Sequence, residues 1–153
     1  MIVLSVDPGP TLCGVVIYDS TARRVEFAKK AAPVEGVLDL IRLGRYDLVA
    51  IERVQSTGQA GASLLATSEV VGRMQQCAIE WGSPWVLLYR RQVLKALDVT
   101  GKGNRDSMVR QRCLEEHGGS KSVACGTVKA PSPLHGVAGH AWQALGVALA
   151  ATS

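Results

Sequence analysis

Short apolar runs separated by turn residues dominate the first half of the chain. The runs "MIVLSVD" and "CGVVIYD" flank a Pro/Gly-rich turn, so residues 2 to 19 are predicted to form a β-hairpin. The alternating "RRVEFAKK" predicts a third, more exposed strand. Further along, "YDLVAIER" predicts a buried strand that finishes at Glu52, and "PWVLLYR" predicts a fifth strand.

Helical spacing of apolar residues appears between and after these strands. The predicted helices are "PVEGVLDLIRLG", a long helix from about Ser63 to Trp81 closed by Gly82, "RQVLKAL", "SMVRQRCLEEH" after the loop "TGKGNRD", and a C-terminal helix. The stretch "GGSKSVACGTVKAPSP" is predicted to be a mobile loop. Three strands followed by alternating helices and strands predict an α/β fold with a five-stranded mixed sheet, antiparallel at one side and parallel at the other.

Length and composition narrow the class of protein. A chain of 153 residues is long enough for one domain spanning 1–153 and too short for two nucleotide-binding lobes. With 47% hydrophobic residues and a net charge of +4, we expect a globular protein with a mildly basic surface, compatible with nucleic acid. No run approaches the roughly 18 apolar residues of a membrane span, and no secretory signal is evident, so we expect a cytoplasmic protein.

The cysteines lack the paired short spacing of a disulfide framework; they are Cys13, Cys77, Cys113 and Cys125. We expect free, buried thiols, as in a reducing cytosol. An alternative remains open, because Cys113 and His117 are four residues apart on a predicted helix, with Cys125 and His135 further on, which is a zinc-like spacing.

Two acids end predicted strands. Asp7 ends the first strand and is followed by "PGPTLCG", in which Pro8, Gly9 and Gly14 are expected to let the backbone turn and approach a ligand. Glu52 ends the fourth. Carboxylates at the ends of neighbouring central strands point into one crevice and repel each other unless a cation lies between them. The pair predicts a site for Mg²⁺ or Mn²⁺ shared with a phosphate, against the alternative of a turn former and a solvated acid.

The order of these motifs resembles a known family, the RuvC-type Holliday junction resolvases of the ribonuclease H-like superfamily. The resemblance covers nearly the whole chain, and its compact first half is most similar to a phage or otherwise divergent member. It is carried by "SVDPGPTLCGVVIYD", "LVAIERV", the long helix, "RRQVLKAL", "GKGNRDSMV" and "HAWQALGVALA".

The resemblance implies a ribonuclease H-like fold and a homodimer that binds four-way DNA junctions and nicks two strands symmetrically. It also implies two Mg²⁺ or Mn²⁺ ions, one lowering the pKa of a water and the other stabilising the leaving 3′ oxygen. The implied metal ligands are Asp7, Glu52, His140 and Gln143. Residues three apart on a helix share a face, so His140 and Gln143 are expected to complete the site while Trp142 packs elsewhere. A buried His and Gln that satisfy each other or the backbone are the alternative.

Gln143 departs from the family pattern, which has Asp before Ala-Leu at this position. A carboxamide oxygen is a neutral ligand, so the site has two negative charges instead of three and is expected to bind metal more weakly. Either the enzyme has a higher metal demand, or the protein is a junction-binding relative with little nuclease activity. The turn "DPGPTLCG" also resembles the phosphate loop of actin-like sugar kinases and ATPases. Such proteins need a second lobe, for which this chain has no room.

Basic residues are expected to contact DNA. The family carries basic residues in the "GKGNRD" loop, so Lys102 or Arg105 is expected to stabilise charge in the transition state, and His140 to ligate metal or move a proton. The segment "QSTGQAGAS" after Glu52 is expected near the junction crossover, without an aromatic wedge. Phosphate contacts are expected from Arg53, Arg73, Arg90, Arg91, Lys95, Lys102, Arg105, Arg110 and Arg112.

The long helix carries more apolar residues than one stripe requires. Those expected in the core are Leu64, Leu65, Val71, Met74 and Ala78, while Val70 and Cys77 are left as a candidate dimer seam.

Overall fold

A computed structural model describes residues 1–56 and 58–153 of the protein. In these ranges the strands are β1 (Ile2–Asp7), β2 (Leu12–Asp19), β3 (Arg24–Pro33), β4 (Leu48–Arg53) and β5 (Trp85–Tyr89). The helices are α1 (Val34–Arg42), α2 (Ala62–Glu80), α3 (Arg90–Ala96), α4 (Arg105–Glu115), α5 (Lys121–Cys125) and α6 (Ala141–Thr152). None of these helices is long and apolar enough to cross a lipid bilayer.

The strands form one mixed sheet in the order β3-β2-β1-β4-β5. β1 pairs antiparallel with β2 and parallel with β4, while β2–β3 is antiparallel and β4–β5 parallel. The predicted five-stranded mixed sheet, antiparallel at one side and parallel at the other, is confirmed. Its central strands are continuous apolar runs because both of their faces are covered by helices.

Two hydrophobic clusters lie on opposite faces of the sheet. Alternate residues of β1 point to opposite sides, so Val3 packs in the cluster with α6, whereas Leu4 packs in the cluster with α1 and α2. Ser5, also buried, donates its hydroxyl to the carbonyl oxygen of Val16 at 3.2 Å. The first eight residues of α6 are all buried, which explains why that helix is apolar on every side.

The packing of α2 differs from the prediction in two places. Leu65, expected in the core, has 56% of its surface exposed. Val70 and Cys77, offered as a dimer seam, are 6% and 5% exposed and lie in the cluster shared with α1. That assignment is wrong, because α1 already covers the stripe that these two residues form.

The region between α4 and α6 is more ordered than its composition suggests. Within the stretch predicted as a mobile loop, α5 begins after Ser120, whose side chain accepts a hydrogen bond from the amide of Val123. Ala124 and Cys125 are buried, and the amide of Leu134 donates to the carbonyl of Ala124 at 2.8 Å. The loop prediction was wrong for Lys121–Cys125, because two buried side chains anchor this short helix to the core; the rest of the stretch has no regular helix or strand.

Candidate active site

The carboxyl ends of β1, β4 and β5 lie at the same edge of the sheet. Val6 of β1 pairs with Ile51 of β4, and the next residues along these strands are Asp7 and Glu52. Parallel pairing therefore places the two acids side by side, although they are far apart in the chain. The predicted convergence of these strand-end acids is found.

Both acids are largely buried, and this changes their protonation. Burial raises the pKa of Asp7 above its usual range, against the lowering effect of His140. Burial is also the main cause that raises the pKa of Glu52 to about 7; the charge of Arg90 lowers it, and the neighbouring charge of Asp7 raises it further. Two desolvated carboxylates with raised pKa values form a site that favours a bound proton or cation.

His140 reaches Asp7 from the other end of the chain. Its Nδ1 lies 3.1 Å from Oδ2 of Asp7, while most of the ring is exposed. His140 is the N-cap residue of α6, so the helix begins one residue later, after Gly136 and Gly139 adopt positive φ angles. The ring thus projects from the end of α6 toward β1.

Two glycines in the turn after β1 have distinct roles. A Cβ on Gly9 would lie 2.3 Å from the carbonyl oxygen of Leu12, which confirms the predicted tight turn. A Cβ on Gly14 would lie 2.3 Å from the carbonyl oxygen of His140. Gly14 was expected to let a ligand approach, but its close neighbour is the backbone of His140; Gly14 also pairs with Asp7 in the sheet. Gly14 therefore lets His140 approach Asp7.

Gln143 has different partners from His140. It is 7% exposed, and its Nε2 donates to the backbone carbonyl of Asp106 at 3.2 Å. Its Oε1 has no hydrogen-bond partner in the part of the chain that the structure describes. Because the Asp106 carbonyl can only accept, the amide nitrogen must face it, and the oxygen is the atom left over. Trp142, as expected, packs into the core.

Asp106 was not identified from the sequence as part of this site, and Arg90 was predicted only as a phosphate contact. The guanidinium of Arg90 contacts Oε2 of Glu52 at 3.3 Å and also forms an ion pair with Asp106. Arg90 directly follows β5, so the strand-end rule that located Asp7 and Glu52 also locates Arg90 at this edge. Asp106 lies in the first turn of α4, held by the side chain of Asn104, which accepts from the amides of Asp106 and Ser107. The signal for Asp106 was the Asn-x-Asp start of a helix.

The remaining predicted basic residues are distributed around several surfaces. Lys95 is exposed on α3, Lys102 is exposed in the loop before α4, and Arg105 is the exposed first residue of α4. Other members have partners within the protein: Arg53 and Arg91 lie over the ring of Tyr89, Arg110 lies over Trp142, Arg73 pairs with Glu35, and Arg112 pairs with Glu115 and Glu116. Residues of the "QSTGQAGAS" segment that are described are mostly exposed; Thr57 lies outside the described residues.

The donor chemistry of the site suits a hard divalent cation. Asp7 and Glu52 supply carboxylate oxygens to this site, and the unpartnered Oε1 of Gln143, on the helix that follows His140, is a neutral oxygen donor. Among the residues described, no group of three or more His, Cys, Asp or Glu side chains is arranged to hold a metal ion. Oδ2 of Asp7 is paired with His140 and Oε2 of Glu52 with Arg90, so a cation bound at these oxygens would compete with both partners.

The zinc-like spacing has another explanation. All four cysteines are free and buried, as predicted. His117 Nδ1 lies 2.8 Å from the carbonyl oxygen of Cys113 and its Nε2 lies 3.2 Å from the hydroxyl of Tyr18. Burial raises the pKa of the Cys113 thiol to about 12, which disfavours the thiolate that zinc requires. These contacts assign His117 to a hydrogen-bonded structural role.

The chain resembles known proteins in its three-dimensional structure. No family model and no curated protein sequence matches the chain. A solved structure of Thermus thermophilus RuvC in complex with a Holliday junction substrate aligns over 98% of this chain and 91% of its own, with a TM-score of 0.61 and 21% identity. A second T. thermophilus RuvC structure aligns over 98% and 92%, with a TM-score of 0.59 and 22% identity. The resemblance to RuvC is thus confirmed in the fold: the chain has the ribonuclease H-like architecture of the RuvC structures.

Proposed function

We propose that this protein is a RuvC-type, metal-dependent endonuclease that resolves four-way DNA junctions by paired, symmetric nicks. The observation that carries the proposal is the juxtaposition of the buried acids Asp7 and Glu52 at the ends of paired parallel strands, with His140 on Asp7. The fold shared with RuvC, one of whose structures contains a Holliday junction, supports the choice of branched DNA as substrate.

The proposed roles follow from the chemistry of each side chain. Two Mg²⁺ or Mn²⁺ ions would be held by four side chains: Asp7, Glu52, His140 and, through its Oε1, Gln143. Bound cations would supply Lewis-acid activation of a water and neutralise charge on the leaving 3′ oxygen. His140 is exposed and hydrogen-bonded to Asp7, so its ring is placed to accept or deliver a proton at the rim of the site.

Basic side chains near the same sheet edge support a DNA interface. Arg53 ends β4 and Arg91 is the second residue of α3, and their guanidinium groups lie 5.2 Å and 5.5 Å from the centre of the Tyr89 ring. Lys102 and Arg105 are exposed beside Asp106, and we assign them to phosphate contacts and charge stabilisation. Symmetric cleavage of a junction needs two active sites, so the proposed active form is a homodimer.

A second function has its own support. Gln143 contributes no negative charge, and Glu52 is already paired with Arg90, so the site is compatible with a protein that binds junctions without cutting them. This architectural role predicts junction affinity that does not depend on Mg²⁺ or Mn²⁺.

A junction cleavage assay separates the two functions. A synthetic four-way junction is incubated with the protein over a range of Mg²⁺ and Mn²⁺ concentrations, beside Asp7→Asn and the control Asp39→Asn, which alters an exposed acid on α1. We expect paired nicks from the native protein and from the control, and loss of nicking with retained binding for Asp7→Asn. Binding without cleavage at every metal concentration would support the architectural role, and absence of both would reject the two functions together.

A further inference from the structure

Arg90 is the only residue of the described chain whose side chain forms ion pairs with two of the acids at this sheet edge. One terminal nitrogen faces Glu52, and the other faces Asp106. The Glu52 side chain is 13% exposed and that of Arg90 25%, whereas Asp106 is 68% exposed. The guanidinium therefore joins a shielded acid inside the site to an exposed acid at its rim.

The backbone of Arg90 and that of its partner Asp106 are both held by local hydrogen bonds. Arg90 is the first residue of α3, and the turn before it is fixed by a hydrogen bond from the amide of Tyr89 to the side chain of Gln92 at 2.8 Å. Asp106 is fixed in turn by Asn104 at the start of α4. A guanidinium released from Glu52 thus retains its ion pair with Asp106.

We propose that Arg90 is an internal counter-ion that competes with a divalent cation for Glu52, and that Asp106 retains the guanidinium when the cation binds. The inference rests on the proposed function in one respect, that this site binds Mg²⁺ or Mn²⁺. The lone pair of Oε2 that faces the guanidinium cannot at the same time ligate an ion, and two positive charges beside one carboxylate repel each other, so the guanidinium and a divalent cation compete for Glu52. Arg90 thereby acts as a positioning residue that keeps the acids together and raises the metal concentration the protein requires.

Metal affinity measured without any DNA tests this directly. The full chain, stripped of cations with a chelator and dialysed, is titrated with MnCl₂ and followed by calorimetry and by the electron paramagnetic resonance signal of free Mn²⁺. Arg90→Met removes the competing charge. Arg91→Met is the matched control. It removes the same charge from the neighbouring residue, whose guanidinium lies over the ring of Tyr89 and not against Glu52.

We expect Arg90→Met to bind Mn²⁺ about tenfold more tightly than the native protein, equivalent to ~1.4 kcal/mol. Arg91→Met should change the affinity by no more than about twofold, since exposed charges are screened by salt. Equal affinity in the native protein and Arg90→Met, or weaker binding in the variant, would overturn the competition. If Arg90→Met leaves the Mn²⁺ affinity unchanged and weakens junction binding in a separate gel-shift assay, Arg90 is a DNA contact instead, and the competition is overturned. Absence of Mn²⁺ binding in all three proteins would reject the proposed metal site together with this inference.

A second measurement does not depend on a variant that folds. In the native protein with selectively ¹⁵N-labelled arginine, the side-chain Nε–H signal of Arg90 should shift as Mg²⁺ is added, with the same saturation as calorimetric binding. The signal of Arg73, which pairs with Glu35 on another surface, should not move. An Arg90 signal that stays constant while Mg²⁺ binds would contradict displacement.

Discussion

Replacing Glu52 with Gln should stabilise the protein at neutral and alkaline pH. The pKa of Glu52 is about 7 in the folded protein against an ordinary value of 4.5, chiefly because the carboxyl group is buried. As the pH rises from 4.5 to 7, the unfolded chain releases this proton while the folded protein still holds it, so stability is lost across that window. Glutamine resembles the neutral acid and removes the loss.

The magnitude follows from the two pKa values. Each pKa unit corresponds to about 1.4 kcal/mol, so a carboxyl group with these values destabilises the fold by on the order of 3 kcal/mol at pH 8 and by less than about 1 kcal/mol at pH 5. The 13% exposure of the Glu52 side chain makes screening by solvent small. Loss of the Arg90 contact offsets part of the gain, which makes the change between the two pH values the informative quantity.

Urea unfolding at pH 5 and pH 8 in the presence of a chelator measures this change. We expect the advantage of Glu52→Gln over the native protein to grow by about 2 kcal/mol between the two pH values. The control Glu80→Gln, on the exposed end of α2, should show no such growth. If the native protein and Glu52→Gln lose stability in parallel as the pH rises, the argument from burial is refuted.

Three further changes test other parts of the structure by urea unfolding. Gly14→Ala places a Cβ against the backbone of the α6 cap residue and should destabilise the fold by about 1–3 kcal/mol. The control Gly72→Ala, with open space around it in α2, should be neutral or stabilising. Equal effects of the two changes would contradict the close approach of Gly14 to the α6 cap residue. Burial lowers the pKa of His117 in the folded protein, so the unfolded chain takes up a proton first as the pH falls through 6.5, and the free energy of unfolding decreases below that pH. His117→Asn should reduce this loss of stability at low pH. An unchanged loss in the variant would show that other groups cause it. Asn104→Ala removes the cap of α4 and should destabilise the protein by about 1 kcal/mol; no loss would mean that the cap contributes nothing measurable.

The strands and the first two acids were predictable because one physical rule governs them. β1 and β4 are predominantly apolar runs, each with an acid at or next to its carboxyl end, and neighbouring parallel strands bring those ends together. The same rule applied to β5 would have located Arg90. The place of Arg90 in this site was missed because a basic residue after a strand was considered only as a DNA contact.

Other features depend on packing that no local pattern encodes. Val70 and Cys77 are core residues because α1 lies against them, and spacing along α2 alone does not reveal its neighbour. Asp106 enters the site because α4 packs on α6, which brings its backbone to Gln143. The start of α6 at Ala141 depends on the positive φ angle of Gly139, a conformation that the sequence permits without requiring.

The contact between Asp7 and His140 joins residues 133 positions apart, from the first strand and the last helix. A nascent or proteolysed molecule that retains the N-terminal hairpin but lacks α6 has neither the imidazole nor the cover over one face of the sheet. Such incomplete molecules cannot present the assembled group of side chains to any substrate. The Asp7–His140 contact therefore exists only in molecules in which α6 has packed on the sheet, so it reports directly on the completion of the fold.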